Sequence, residues 1–144
     1  MKKLLLLFSV LIMASCSSDD DAGDVVTNEF ERISSVLPQG TWKVTTLIDG
    51  NENHTAAFES FIFTFNEEGS VIAENDLYSE TGIWAYRTTA QEGEQLVLAF
   101  NEVIPFDEIN DDWKIVSVTN TKVELSDDDD NDLDDLDILV FTKI

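Results

Sequence analysis

From Gly40 to the last residue, large apolar side chains recur at every second position in short runs separated by polar turn residues. Trp42-Lys43-Val44-Thr45 starts the pattern, and Phe61-Ile62-Phe63-Thr64-Phe65 is its strongest instance. Ser70 to Ala73, Ile83 to Tyr86, Gln95 to Phe100, Trp113 to Thr119, Lys122 to Leu125 and Leu136 to Lys143 complete a set of eight. A period of two sends alternate side chains to opposite faces of a strand, so each run has one face that must leave water. The turn clusters Asp49-Gly50-Asn51 and Asn66-Glu67-Glu68-Gly69 suit antiparallel pairing of neighbours. Eight strands so connected predict an all-β fold, an eight-stranded antiparallel up-and-down barrel. Pro105 to Asp112 is the one long interruption, read as a loop with a single helical turn.

A different period precedes the strands. Val26, Phe30, Ile33 and Leu37 fall on one helical face after an Asp24 cap, and Pro38 and Gly40 close the segment. The expectation is a short N-terminal helix lying against one end of the barrel. Gly40-x-Trp42 is echoed by Gly82-x-Trp84, each glycine freeing the backbone at a strand start and each indole filling the barrel beside it.

The first residues read as an address. Lys2 and Lys3 precede Leu4 to Ala14, an almost wholly apolar run of eleven. A bilayer core of about 30 Å needs about 20 residues, so this run fits the apolar region of a signal peptide. Met13-Ala14-Ser15-Cys16 resembles the lipobox of bacterial lipoproteins, which implies cleavage before Cys16 and lipid attachment to its sulfur. Ser17-Ser18-Asp19-Asp20-Asp21 has nothing to bury and reads as a solvated tether. It is similar to the acidic export signals of surface-exposed lipoproteins in Bacteroidetes-type bacteria. The expected organisation is a signal peptide over 1–15, an acidic tether over 16–24 and a barrel domain over 25–144. The expected location is the bacterial outer membrane, lipid-anchored and exposed at the surface, with the acyl chains as the membrane contact.

Thirty acidic residues against eight basic ones give a formal charge of −22, which repels phosphate backbones and argues against nucleic-acid partners. One cysteine forms no internal disulfide, and one histidine builds no His-rich metal centre. His54 lies in a polar turn, Asn51-Glu52-Asn53-His54-Thr55, where a solvated side chain is the expectation. Neither a Gly-x-Ser-x-Gly nor a Gly-x-Gly-x-x-Gly pattern occurs, and chance brings carboxylates together in so acidic a chain, so no enzymatic activity is expected. Asp127 to Asp137 holds eight aspartates in eleven residues. Asp127, Asp129 and Asn131 alternate as oxygen ligands would for Ca²⁺, yet Asp132 and Ile138 stand where an EF-hand needs Gly and Glu. Weak Ca²⁺ binding and a merely solvated connection are the two readings of this run; no other cofactor is expected.

Gly40-x-Trp42 after a short helix resembles the lipocalin and calycin superfamily, and more closely its small bacterial lipoprotein members. The likeness extends through Phe61-x-Phe63-x-Phe65, Gly82-x-Trp84, Asn110-Asp111-Asp112-Trp113-Lys114 and Phe141-Thr142-Lys143-Ile144, over roughly residues 36–144. The Thr-Asp-Tyr motif of animal lipocalins is missing, and Lys143 is the sole cation near the last strand, where it could cover Trp42. Inward positions of such a barrel either fill it or line a pocket. Trp42, Val44, Phe61, Phe63, Phe65, Trp84, Tyr86, Leu98, Phe100 and Trp113 are the residues so placed. The resemblance implies a small apolar or amphipathic ligand in the barrel. The rival reading is a non-enzymatic interaction module or surface-assembly accessory: a filled barrel with acidic, cation-binding loops facing a protein partner.

Overall fold

The computed structural model describes residues 29–128 and 136–144. The cores of all eight expected strands are present. They are β1 (Trp42–Asp49), β3 (Ile62–Phe65), β4 (Ser70–Glu74), β5 (Ser79–Thr89), β6 (Gly93–Ala99), β7 (Asp111–Val118), β8 (Lys122–Asp127) and β9 (Asp137–Lys143). A two-residue strand β2 (Glu52–Asn53) folds back on the end of β1. Neighbours pair antiparallel in sequence order from β3 to β9, and β1 joins β3 at Trp42 opposite Phe63. Pairing of β1 with β9, from Trp42 opposite Lys143 to Ile48 opposite Ile138, closes the barrel. The register shifts between Val44 and Thr46 and between Ile115 and Ser117, and such irregularities bend strands where a sheet must curve.

The wall has one dry face. Trp42, Val44 and Leu47 of β1, Phe63 and Phe65 of β3, Val71 and Ala73 of β4, and Leu139 and Phe141 of β9 all point into a single buried cluster. Each of the valine, leucine and phenylalanine side chains contributes about 1.5–3 kcal/mol by leaving water. The rings meet edge to face: Phe63 with Phe141 at 5.3 Å, and Phe65 with Phe141 at 5.5 Å and with Trp84 at 6.0 Å between centroids. This tilted geometry matches the positive edge of one ring to the negative face of another.

One barrel end is stopped by helix α1 (Glu29–Val36). Ile33, Val36 and Leu37 enter the core, while Glu29 and Glu31 lie in the first turn, where the helix dipole favours anions. Phe30 departs from the single apolar face expected: it is 45% exposed and stacks on the half-buried Tyr86 ring at 4.9 Å, outside the main core. Val26 and Asp24 lie outside the described residues. The helix ends through Leu37 N–H to the Ile33 carbonyl and Gln39 N–H to the Val36 carbonyl, and Gly40 then takes φ +100°, which side chains rarely adopt.

Both Gly-x-Trp motifs have a physical reason, although the two glycines differ. The Trp42 indole donates to the Leu37 carbonyl at 2.9 Å and so ties α1 to β1. Lys143 Nζ lies 5.7 Å from the Trp42 ring centre, within cation–π range, and Gly40 leaves room for its stem: a Cβ there would sit 2.7 Å from Lys143 Cε. Gly82 makes room for its neighbours across the sheet. A Cβ at this position would lie 2.7 Å from both the Ala99 carbonyl and a Phe100 ring carbon. Gly82→Ala is therefore expected to destabilise the barrel by about 1–3 kcal/mol, because the obstacle includes backbone. Urea unfolding checks this, with a lower midpoint at unchanged slope as the expected result.

Candidate functional site

At the opposite end of the barrel the connecting loops gather, and the candidate side chains lie there. Two short 3-10 turns, η1 (Thr55–Phe58) and η2 (Phe106–Ile109), fold over it. Phe58 and Phe106 point down into the barrel, with centroids 5.8 Å apart, and Phe61 and Phe100 pack on Phe106 at 5.1 and 5.0 Å. Phe58, Phe106 and Ile109 are wholly buried. Ring packing thus closes the end that the loops surround.

The expected inward residues are brought together. Trp42, Val44, Phe61, Phe63, Phe65, Trp84, Leu98, Phe100 and Trp113 belong to one buried cluster, and Tyr86 packs at its margin. All three indoles are satisfied by backbone: Trp84 donates to the Asn66 carbonyl at 2.9 Å and Trp113 to the Ile109 carbonyl at 3.0 Å, as Trp42 does to Leu37. Tyr86 donates to Glu94 at 2.6 Å, and burial together with that carboxylate pushes its phenol up. Larger depressions lie around the outside. One of about 400 Å³ is bordered by Ser60, Ile62 and Glu74 to Leu77, and one of about 440 Å³ by Phe30, Trp84 and Tyr86 beside the helix.

A hydrogen-bond network locks two of the loops. Tyr78 Oη donates to Glu80 at 2.5 Å, and the Asn101 amide donates to the other carboxylate oxygen of Glu80. The Tyr78 ring also rests 6.3 Å from that of Phe106. These donors hold the Glu80 carboxyl below its usual range, and the carboxylate in turn raises the Tyr78 phenol. A carboxyl whose folded value is depressed contributes stability above its unfolded value, and the contribution is lost as pH falls through the folded value. The stability gap between the parent chain and Glu80→Gln is accordingly expected to be largest near neutrality and to close as pH drops below about 4.5. Thermal unfolding at a series of pH values measures it.

On the same two loops, residues that belong in a core face solvent. Leu77 is 96% exposed and Ile104 84%, with Val103 and Tyr78 partly exposed beside them in sequence. Acidic side chains flank both loops: Glu74 and Asp76 in one, Glu102 and Asp107 in the other. Nearby, a polar depression of about 160 Å³ is lined by Asp49, Asp107, Glu108, Asp111 and Asp137 among others. His54 stands next to η1 and is 26% exposed, so it is far less solvated than its polar turn suggests. Of the aspartate-rich run, Asp127 ends β8 opposite Asp137 and Asp128 pairs with Lys114 at 2.6 Å. Asp129 and Asn131 lie outside the described residues, as does Cys16.

Architecture and closure together define a capped eight-stranded antiparallel barrel with one short helix on its N-terminal side. A DUF4847 family protein from Bacteroides vulgatus shares this fold, with a TM-score of 0.51 and 12% identity over 76% of this chain and 96% of that one. No family model matches the chain, and no curated protein does either. At 12% identity the likeness is one of fold, and site residues are not transferred across it.

Proposed function

We propose that this chain is a lipocalin-like, lipid-anchored surface lipoprotein whose filled barrel is a rigid mount for a protein-binding loop face. It acts without enzymatic chemistry, and its membrane contact is the acylated Cys16 at the start of an acidic tether. The observation that carries the reading is the pairing of a ring-packed interior with Leu77 and Ile104 held out in water. Phe58, Phe61, Phe100 and Phe106 pack where a ligand would have to enter, which favours a core over a pocket. Exposed apolar residues rimmed by charge are typical of interaction surfaces, and the Glu80 network keeps these loops in place before any partner arrives. Glu74, Asp76, Glu102 and Asp107 define the partner's chemistry as an apolar surface flanked by lysine or arginine.

Site-specific photo-crosslinking on intact cells tests this. A crosslinking residue at position 77 or 104 is expected to give one discrete protein adduct that weakens at high salt. The same residue at Val116, exposed on the outer wall, is expected to give none. No adduct from either loop, or equal adducts from all three positions, contradicts the proposal.

A further inference from the structure

The chain's one histidine stands between carboxylates on both ring nitrogens. Nδ1 lies 3.8 Å from Glu108 Oε2, and Nε2 lies 3.5 Å from Glu52 Oε2. One ligand atom from each of Asp49, His54 and Glu108 falls within 4.8 Å of the other two. They come from three separate elements: the end of β1, the residue before η1, and η2. The His54 backbone is fixed by its N–H bond to the Leu47 carbonyl, and the adjacent Thr55 hydroxyl accepts from the Leu47 N–H at 2.8 Å. Two further observations bear on the site. Nε2 of His54 has essentially no exposed surface and makes no hydrogen bond, facing only the Glu52 carboxylate at 3.5 Å. Among the described residues no lysine or arginine ion-pairs with Asp49, Glu52 or Glu108, although their charges share one end of the barrel.

We propose that Asp49, His54 and Glu108 form a binding site for a first-row divalent cation of the Zn²⁺ type. An imidazole nitrogen with two carboxylate oxygens is a donor set for zinc and its neighbours, whereas Ca²⁺ and Mg²⁺ take oxygen alone. Ligand bonds of about 2.0–2.2 Å require these donors to draw in by somewhat more than an ångström, which side-chain rotation on a loop surface provides. With Nδ1, the nitrogen beside Glu108, on the metal, Nε2 faces Glu52, a carboxylate outside the ligand set. That is the outer arrangement that orients a metal-bound histidine and strengthens it as a ligand. A dication would also relieve the mutual repulsion of the carboxylates and pin β1, η1 and η2 to one another beside the Leu77 and Ile104 loops. Its donor set differs from that of the Asp127-to-Asp137 run, whose ligands would all be oxygens, although Asp137 borders the same polar depression as Asp49 and Glu108.

Because His54 is the only histidine, its imidazole resonances in an NMR titration with ZnCl₂ report on this site alone. The full chain carrying Cys16→Ser is used, so that no thiol competes for the metal. The expected result is a saturable shift of the imidazole signals complete at one equivalent of Zn²⁺, not reproduced by Ca²⁺. Glu108→Gln and Asp49→Asn are each expected to weaken binding about tenfold or more while leaving the fold, checked by circular dichroism, unchanged. Both side chains reach solvent, so loss of folding is not the expected confounder. Imidazole signals unmoved by Zn²⁺, or a shift that survives both substitutions at full affinity, overturns the proposal.

Discussion

Replacing Phe63 with alanine is expected to destabilise the chain by about 3–5 kcal/mol and to give the barrel an affinity for small aromatic molecules that the parent lacks. Phe63 is wholly buried and central: its ring meets those of Phe58, Phe100 and Phe141 at 6.2, 6.3 and 5.3 Å. Its removal leaves a void walled by rings from three distant parts of the chain, which a closed sheet cannot readily collapse to fill. Apolar cavities of that kind stay dry and take up benzene-sized molecules. The loss is a large share of a typical domain's 5–15 kcal/mol, so the midpoint in urea should fall steeply. Saturating benzene or indole should restore part of it in the variant and none in the parent, since binding to the folded state alone raises stability by mass action. Val116→Ala, on the wet side of the wall, is the control and should stay within about 0.5 kcal/mol. A parent chain stabilised by benzene as much as the variant would show that the interior already has room.

Cys16→Ser is expected to move the chain almost completely from the membrane to the soluble fraction, and to remove the acyl mass from its N-terminus. Each buried methylene of an acyl chain contributes about 0.8 kcal/mol, and one chain alone anchors only marginally, so under the proposed function stable attachment would rest on the several chains that acylation of Cys16 would supply. The chain carries −22 and is repelled by an anionic leaflet. Among the described residues no helix is long and apolar enough to cross a membrane. Cell fractionation with intact-mass spectrometry measures both effects. A Cys16→Ser chain that still sediments with membranes at high salt would contradict lipid anchoring.

Much of the barrel was legible because its signal is local and repeated. Phe61-x-Phe63-x-Phe65 fixes one strand and the inward face at once, since a period of two leaves no other arrangement that keeps three rings dry. The Gly-x-Trp pairs marked indoles whose N–H groups need partners, although the reason for Gly82 lies across the sheet in the Ala99 carbonyl and the Phe100 ring. The cap was less legible. Phe58 and Phe106 sit in segments with no strand period, and their only signal is a large aromatic in a short loop that has to leave water somewhere. Phe30 misled in the opposite sense: helical spacing placed it with Ile33 and Leu37, while the structure sets it against Tyr86 at the rim. The candidate site was hidden for the same physical reason. Asp49, His54 and Glu108 come together only when β1, η1 and η2 meet at one end of the barrel, and no spacing within the chain encodes that meeting. The polar neighbours of His54 in sequence pointed to a solvated side chain and gave no hint of its carboxylate neighbours in space, while acidity marked Asp127, Asp129 and Asn131 instead.

The central claim is that the barrel is a filled mount and that its partners bind outside. Intrinsic tryptophan fluorescence tests this most directly, since Trp42, Trp84 and Trp113 are all buried in the cluster that a ligand would have to enter. Titration with fatty acids of several chain lengths and with small hydrophobic dyes is predicted to leave the emission maximum and intensity unchanged. A saturable change that ends at one equivalent of any of them would contradict the account.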